Sequence, residues 1–410
     1  MALKKKERER LAVRVGKAFS PAAPIDQRRL FAGRTEQLRQ VIDAINQKGQ
    51  HAIIFGERGV GKTSLANVLS DFLHAEDVVL APKVNCDGTD DYASVWRKVM
   101  GEARLVTQIR KMGFLEAYAK ETHSLAELLP QEVRPDDVRR VLQAIGSELI
   151  LIVIIDEFDR LRDERAGGLF ADTIKTLSDY SVPATIVLVG VADTVDELIR
   201  EHLSIERALV QVRMPRMSPQ ELNEIVNTGL SSVGMSIAPD ALVYISTLSQ
   251  GLPHYTHLLG LHSAREAIDS GRTSVTRPHV EGAIADAIDK AQETIRATYH
   301  KATMSPRREN LYRQVLLASA LARADDFGYF AAADVREPMT RIMGRPFEIP
   351  AFSRHLNDLC EQLRGPVLHK IGSAHRFRFR FLNPLMQPFV IMNGLSSGMI
   401  DAALLQQLGR

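Results

Sequence analysis

A chain of 410 residues has room for two or three domains, each with a core of its own, and 45% hydrophobic with 25% charged residues is ordinary for a soluble globular protein. The longest strongly apolar run, Leu149–Ile155, is far too short to span a bilayer, and "MALKKKERER" carries no apolar core of signal-peptide length, so neither a membrane partner nor export is expected. The net charge of +2 is unevenly spread: from Arg296 onward 16 Lys and Arg stand against 9 Asp and Glu, which points weakly to a polyanion near the C-terminus.

In chain order, the mixed-sign "KKKERER" reads as a solvated or fraying helical tail, with a binding arm as the alternative, and "FSPAAPID" as a linker. "FAGRTEQLRQVIDAINQ" has apolar residues at helical spacing, with Thr35 as a plausible cap. "HAIIFG" is a short buried strand that runs into "GERGVGKTS", and "TSLANVLSDFLH" returns to helical periodicity. Further strands are expected at "VVLAPKVN", Leu149–Ile155, Ala184–Val191 and Ala208–Met214. Between the second and third, Ala93–Glu148 is expected to hold two or three helices. Apolar strands alternating with helices indicate a parallel sheet covered on both faces.

From "MSPQELNEIVNTGL" to about Ala291 the pattern is helical. Helices are then expected at Arg308–Arg323, Ala332–Met343 and Ala351–Arg364, followed by a hairpin in "GPVLHKIGSAHRFRFRFLNP". Three helices and a two-stranded wing describe a winged helix. Cys86 and Cys360 lack metal-type spacing and read as two reduced thiols of a cytoplasmic protein.

Gly56, Gly61, Lys62 and Thr63 fit G-x-x-x-x-G-K-S/T in full, within a strand–loop–helix context. In such a loop the backbone N–H groups of Glu57, Arg58, Gly59, Val60 and Ser64 cradle phosphates. Lys62 reaches the β and γ phosphates, and Thr63 ligates Mg²⁺. In "LIVIIDEFDR", Asp156 ends a strand where it can hold Mg²⁺, and Glu157 is the candidate base that aligns an attacking water. A Glu in that position favours ATP hydrolysis over transfer to a small-molecule acceptor.

In "VGVADT", Asp193 or Thr194 either contacts the γ-phosphate or forms an ordinary polar turn. Arg207 is either an arginine finger for a neighbouring subunit, which implies self-association, or a surface salt-bridge residue. Pro253 and His254 in "QGLPHY" open a helix that packs on the adenine or senses phosphate. In "HRFRFRF", Arg376, Arg378 and Arg380 alternate with three phenylalanines. On a strand the Phe face meets the core, and the Arg face either lies on DNA phosphates or is paired with nearby acids. Arg354 and Arg364, on the expected recognition helix, are further candidate phosphate contacts.

Together, the phosphate loop, "IIDEFDR", "VGVADT", "SIERAL" and the trailing helical region resemble an AAA+ ATPase. "FAGRTEQL" and the winged helix narrow the resemblance to the origin-recognition and replication-initiator type. It implies an α/β P-loop NTPase domain at 31–216 after an N-terminal tail and linker at 1–30, a helical lid at 217–295 and a winged helix at 296–410. It further implies ATP/ADP and Mg²⁺ as cofactors, Gly33 and Arg34 beside the adenine, and Arg207 acting in trans. Two residues depart from that pattern. The strand-end sensor, usually Asn, is replaced by Ala192, Asp193 and Thr194, and the lid arginine by His254. "GLP" resembles instead the signal-transduction ATPases with numerous domains. The expected function is a slowly hydrolysing ATPase that acts as a nucleotide-controlled DNA-binding or partner-loading switch. The alternative is a signalling switch that recruits a separate effector protein and binds no DNA.

Overall fold

A computed structural model describes residues 4–21, 33–73, 79–110, 118–146, 149–199, 205–305, 310–325, 327–373 and 376–408. By contacts the chain divides into an α/β unit (Pro24–Glu57 and Gly61–Met214) and a helical unit (Met1–Ala23, Arg58–Val60 and Pro215–Arg410). Most of the linker expected at "FSPAAPID", and Phe31 and Ala32 of "FAGRTEQL", lie outside the described residues.

The chain starts with α1 (Lys5–Ala18), whose Leu11, Val15 and Ala18 recur at helical spacing and are buried. A solvated or fraying helical tail was the expectation; the helix is present but packed in the helical unit, where Arg8 donates to the Asp269 carbonyl at 3.0 Å and Arg14 to that of Ser232 at 3.3 Å. Just beyond α1, Phe19 is 1% exposed. Its ring fills the space where a Cβ on Gly229 or Gly260 would stand, and it meets the His257 ring edge-on at 5.9 Å. Burying one such ring stabilises by about 1.5–3 kcal/mol.

The α/β unit follows with α2 (Thr35–Ile45), β1 (His51–Gly56), α3 (Lys62–Leu73), β2 (Val79–Leu80), β3 (Lys83–Asn85) and α4 (Tyr92–Glu102). Then come β4 (Arg104–Arg110), β5 (Tyr118–Ser124), α5 (Pro135–Ile145), β6 (Ile150–Asp156), α6 (Ala166–Asp179), β7 (Ala184–Val191) and β8 (Leu209–Arg213). The six-stranded parallel sheet runs β2-β6-β7-β1-β8, with β3 also on β6. Its continuous apolar strands fit a sheet covered on both faces, with Trp96, Phe170, Phe158 and Tyr92 forming an aromatic cluster in the core.

Three expectations are corrected. The second strand is two short pieces broken around Pro82, which has no N–H to give a ladder. Thr35 does not cap α2; Arg34 takes the cap position without a side-chain bond. The stretch Ala93–Glu148 holds two α-helices and an antiparallel hairpin, β4–β5, in register from Arg104 with Ser124 to Arg110 with Tyr118.

In the helical unit the chain continues through α7 (Pro219–Ser232), β9 (Ser236–Ile237), α8 (Pro239–Ser249), α9 (Pro253–Asp269), β10 (Ser274–Val275), α10 (Arg277–Asp289) and α11 (Glu293–Thr303). A winged helix follows: α12 (Tyr312–Leu321), β11 (Phe330–Ala331), α13 (Ala332–Met343), α14 (Ile349–Asp358), β12 (Leu368–Ile371) and β13 (Arg378–Phe381), with antiparallel strand order β11-β13-β12. The first and third helices are shorter than expected, and a separate turn at Gln362–Arg364 follows the third. Helix α15 (Met386–Ser396) is buried nearly all round and packs on α8, α10, α11 and α12, so lid helices and winged helix share one core; α16 (Ala402–Leu408) ends the described chain. No helix among the described residues is long and apolar enough to cross a membrane.

His51 lies at the start of β1, an inner strand of the sheet, and is fully buried. Its Nδ1 accepts the Ile186 amide at 2.9 Å, and burial pushes its pKa down to about 3. The unfolded chain takes up this proton near the ordinary histidine value and the folded one does not. The resulting stability is therefore intact above pH 6.5 and lost as pH falls toward 3, by at most about 1.4 kcal/mol per pH unit. His51→Asn keeps an acceptor for the Ile186 amide but cannot titrate. Denaturant unfolding of this variant between pH 4 and 7 should show a flatter pH slope than the parent.

Candidate nucleotide site

Strand β1 ends in Gly56 with φ +152°, where a Cβ would run into the Met214 carbonyl oxygen, so the residue that opens the loop must be glycine. After the loop, α3 begins at Lys62 and presents its first backbone N–H groups where phosphate would lie. Lys62 is buried, and its Nζ donates to the carbonyl oxygens of Gly56 at 2.9 Å and Glu57 at 2.8 Å. These two bonds fix the position of the ammonium at the loop. Val60 is buried, Arg58 is exposed, and Ser64 lies in the first turn of α3.

Asp156 closes β6 and is 2% exposed. Its Oδ1 accepts the Glu157 amide at 2.8 Å and lies 3.5 Å from the donating Thr63 hydroxyl. Its Oδ2 accepts no hydrogen bond; the Lys83 ammonium stands 3.4 Å away as an ion pair. A buried carboxylate oxygen left open beside a threonine hydroxyl fits a Mg²⁺ ion, held directly or through water. Cys86, whose amide donates to the Asp156 carbonyl, is no nucleophile: burial first, then the carboxylates of Asp90, Asp156 and Asp159, pushes its thiol up to about 12.

Glu157 follows with φ +55°, a left-handed conformation unusual for a residue with a side chain, and its carboxylate accepts from the Arg160 guanidinium at 2.9 Å. The end of β7 is tied to the same corner. Val191 N–H donates to Asp159 Oδ1 at 2.7 Å, and Ala192 N–H to the Gly56 carbonyl at 3.4 Å. Asp193 N–H donates to Glu197, and Thr194 starts the next turn without capping it through its side chain. Gly56, Lys62, Thr63, Asp156, Glu157 and Asp193 thus share one corner of the sheet.

Arg207 does not share it. Arg207 precedes β8, which runs parallel to β1 with Leu209 beside His51 and Arg213 beside Phe55. It therefore lies at the opposite end of the sheet from its own loop, roughly a strand length of about 17 Å away, and is exposed there. Gly33 and Arg34, with φ of +70° and +61°, are buried at the start of α2, which packs on β1 and β8. In the helical unit, Pro253 opens α9, and the His254 Nδ1 donates to the Pro21 carbonyl at 2.7 Å. Burial lowers its pKa, against the opposing effect of the bond to Pro21, and so favours the neutral ring.

On the winged helix the arginines are largely engaged. Arg378 pairs with Asp325 at 3.0 Å, and Arg380 lies 4.7 Å over the Tyr329 ring. Arg364 donates to the carbonyls of Ala302 and Met304 and stacks 3.6 Å over Tyr312. Arg354 is 84% exposed, 3.8 Å from Asp358, and Arg376 is exposed. The Phe face is only partly core: Phe379 and Phe381 are buried, but Phe377 is exposed beside Lys370.

Comparison with known proteins bears on this site. The profile of the family described as Novel STAND NTPase 1 matches residues 19–340. The chain belongs to that family. It is an NTPase-type chain with a parallel P-loop sheet, a helical lid and a winged helix, in keeping with the AAA+ resemblance of its motifs. No curated protein matches the sequence. Among solved structures, the chain is similar to the Cdc6p protein of Pyrobaculum aerophilum, at 14% identity and TM-score 0.46 over 96% of this chain and 99% of that one. It is likewise similar to the ORC2 protein of Aeropyrum pernix, at 14% and 0.49 over 93% and 98%, and to a Walker-type ATPase of Pyrococcus abyssi, at 17% and 0.49 over 90% and 98%.

Two functional neighbours were not legible in the sequence: Arg160, which holds Glu157, and Lys83, which faces Asp156. Only the second turn of "DEFDR" hints at the first, and only strand pairing reveals the second. Replacing Lys62 with Ala removes the cation that holds the loop carbonyls of Gly56 and Glu57. ATP affinity of Lys62→Ala should fall about 100-fold, equivalent to about 2–3 kcal/mol for bonds to a charged group, as read by titration of a fluorescent nucleotide.

Proposed function

We propose that the protein is a nucleotide-controlled switch. It binds ATP with Mg²⁺ at the corner formed by Lys62, Thr63 and Asp156, hydrolyses it slowly, and signals its nucleotide state to a protein partner. Membership of a STAND NTPase family supports the switch reading over a DNA-borne initiator. The observation that carries slow turnover is the pairing of Glu157 with Arg160. While Arg160 holds that carboxylate, Glu157 cannot align a water. Mg²⁺, when bound, would draw charge from the β and γ phosphates. Lys62 holds the same phosphates from the loop side, and Thr63 and Asp156 fix the metal pole. Glu157, once released, orients the attacking water and accepts its proton. Arg207, remote from its own loop, supplies transition-state charge to a neighbouring copy.

DNA binding stands as the second reading, favoured by the exposed Arg354 and Arg376. Against it, the pairing of Arg378 with Asp325 and the stacking of Arg364 and Arg380 on tyrosines engage three of the five candidate arginines. ATP turnover with and without duplex DNA, at two salt concentrations, decides between the readings. The switch reading expects turnover indifferent to DNA at both salts, whereas stimulation that fades as salt rises would overturn it. A second variant tests the hold on Glu157. The pair is solvent-exposed and weak, so Arg160→Ala should raise kcat by about two- to fivefold with ATP affinity unchanged.

A further inference from the structure

Lys83 has no part in the readings above, yet its ammonium forms an ion pair with Asp156 at the metal pole. In the sheet register Lys83 pairs with Ile154, two residues before Asp156 on β6. Paired residues point to the same face, and residues two apart along a strand share a face, so Lys83 and Asp156 stand on one side of the sheet. The Lys83 side chain is 18% exposed, and its ammonium lies 3.4 Å from Oδ2 of the nearly buried Asp156 carboxylate. The other oxygen, Oδ1, is already engaged by the Glu157 amide and faces the Thr63 hydroxyl. The Asp156 oxygen that accepts no hydrogen bond is therefore the one that Lys83 faces, held there by charge.

We propose that Lys83 is a built-in cation of the metal pole. It neutralises Asp156 while no metal is present, yields that carboxylate oxygen to Mg²⁺, and so weakens the dependence of nucleotide binding on Mg²⁺. The inference rests on the reading of this corner as a Mg²⁺–nucleotide site. An ammonium and a divalent ion cannot share one carboxylate oxygen in a poorly hydrated site without strong repulsion, so one displaces the other. With Lys83 in place, part of the charge the phosphates need is already there before the metal arrives. Nucleotide then stays bound when Mg²⁺ is scarce, a property suited to a switch that must hold its state.

The test is the affinity of the full-length protein for fluorescent ADP, measured in excess Mg²⁺ and in EDTA, for the parent chain, Lys83→Met and Lys83→Arg. Lys83→Met should widen the ratio of the two dissociation constants by about tenfold, through weaker binding in EDTA and tighter metal engagement, while Lys83→Arg stays near the parent. An unchanged ratio in Lys83→Met overturns the assignment. Absence of nucleotide binding by the parent in both buffers would instead sink the underlying reading of the site. Because the methionine leaves Asp156 buried without a counter-ion and can impair folding, a measurement on the parent chain runs alongside. Acetylation of Lys83 by an amine-reactive ester, followed by mass spectrometry, should be faster with ADP and Mg²⁺ than with ADP in EDTA. Equal or slower labelling with Mg²⁺ contradicts displacement.

Discussion

The arrangement of the α/β unit depends on one carboxylate at the end of a buried strand. Asp156 is carried to the sheet edge by six apolar residues, nearly all buried, that leave it no choice of position. Its backbone and side chain then set the neighbours: the carbonyl takes the Cys86 amide, one oxygen takes the Glu157 amide, and the other faces a lysine. A charge buried this deeply is tolerated only when it is compensated. The parallel sheet supplies that compensation by bringing β3 and the start of α3 to the same corner. Fold and chemistry are therefore not separable here, since the pairing of β3 with β6 that builds the sheet also completes the site.

What could be read from the sequence follows from how local its cause is. Strand Ala184–Val191 and helix Ala332–Met343 were legible to the residue, because a continuous apolar run and a clean helical period are both properties of the segment itself. The loop from Gly56 to Thr63 was legible because its function demands a fixed spacing. The hairpin of β4 and β5 was not. "RLVTQIR" carries β-branched residues that favour a strand, but the expectation of helices for the long crossover outweighed them. The packing of the first helix was not legible in "KKKERER", because Leu11, Val15, Ala18 and Phe19, which do the packing, come after it. Lys83 and Arg160 illustrate a different limit. Lys83 acts through a residue more than seventy positions away, and Arg160 through a side chain whose backbone takes an uncommon conformation.

The winged helix shows how a basic pattern is spent. Alternation in "HRFRFRF" does place aromatics and guanidiniums on opposite faces, and Phe330, Phe379 and Phe381 come together at centroid distances of 6.2 and 6.4 Å. Yet the opposite face meets Asp325 and Tyr329 from the segment before β11, so most of its charge is absorbed within the domain. A run of arginines measures the positive charge available, and the surrounding tyrosines and acids decide how much is left for a partner.

Phe19, Gly229 and Gly260 form a set whose members are scattered over some 240 positions of the chain yet occupy one small volume. Neither glycine can gain even a methyl group while a phenyl ring stands against it, and the ring cannot shrink without leaving a void between two helices. Change at these three positions is consequently tied together: a line of descent that enlarges one glycine must trim residue 19 in step. Alignments of relatives should show the trio drifting as one character, whatever the divergence around it.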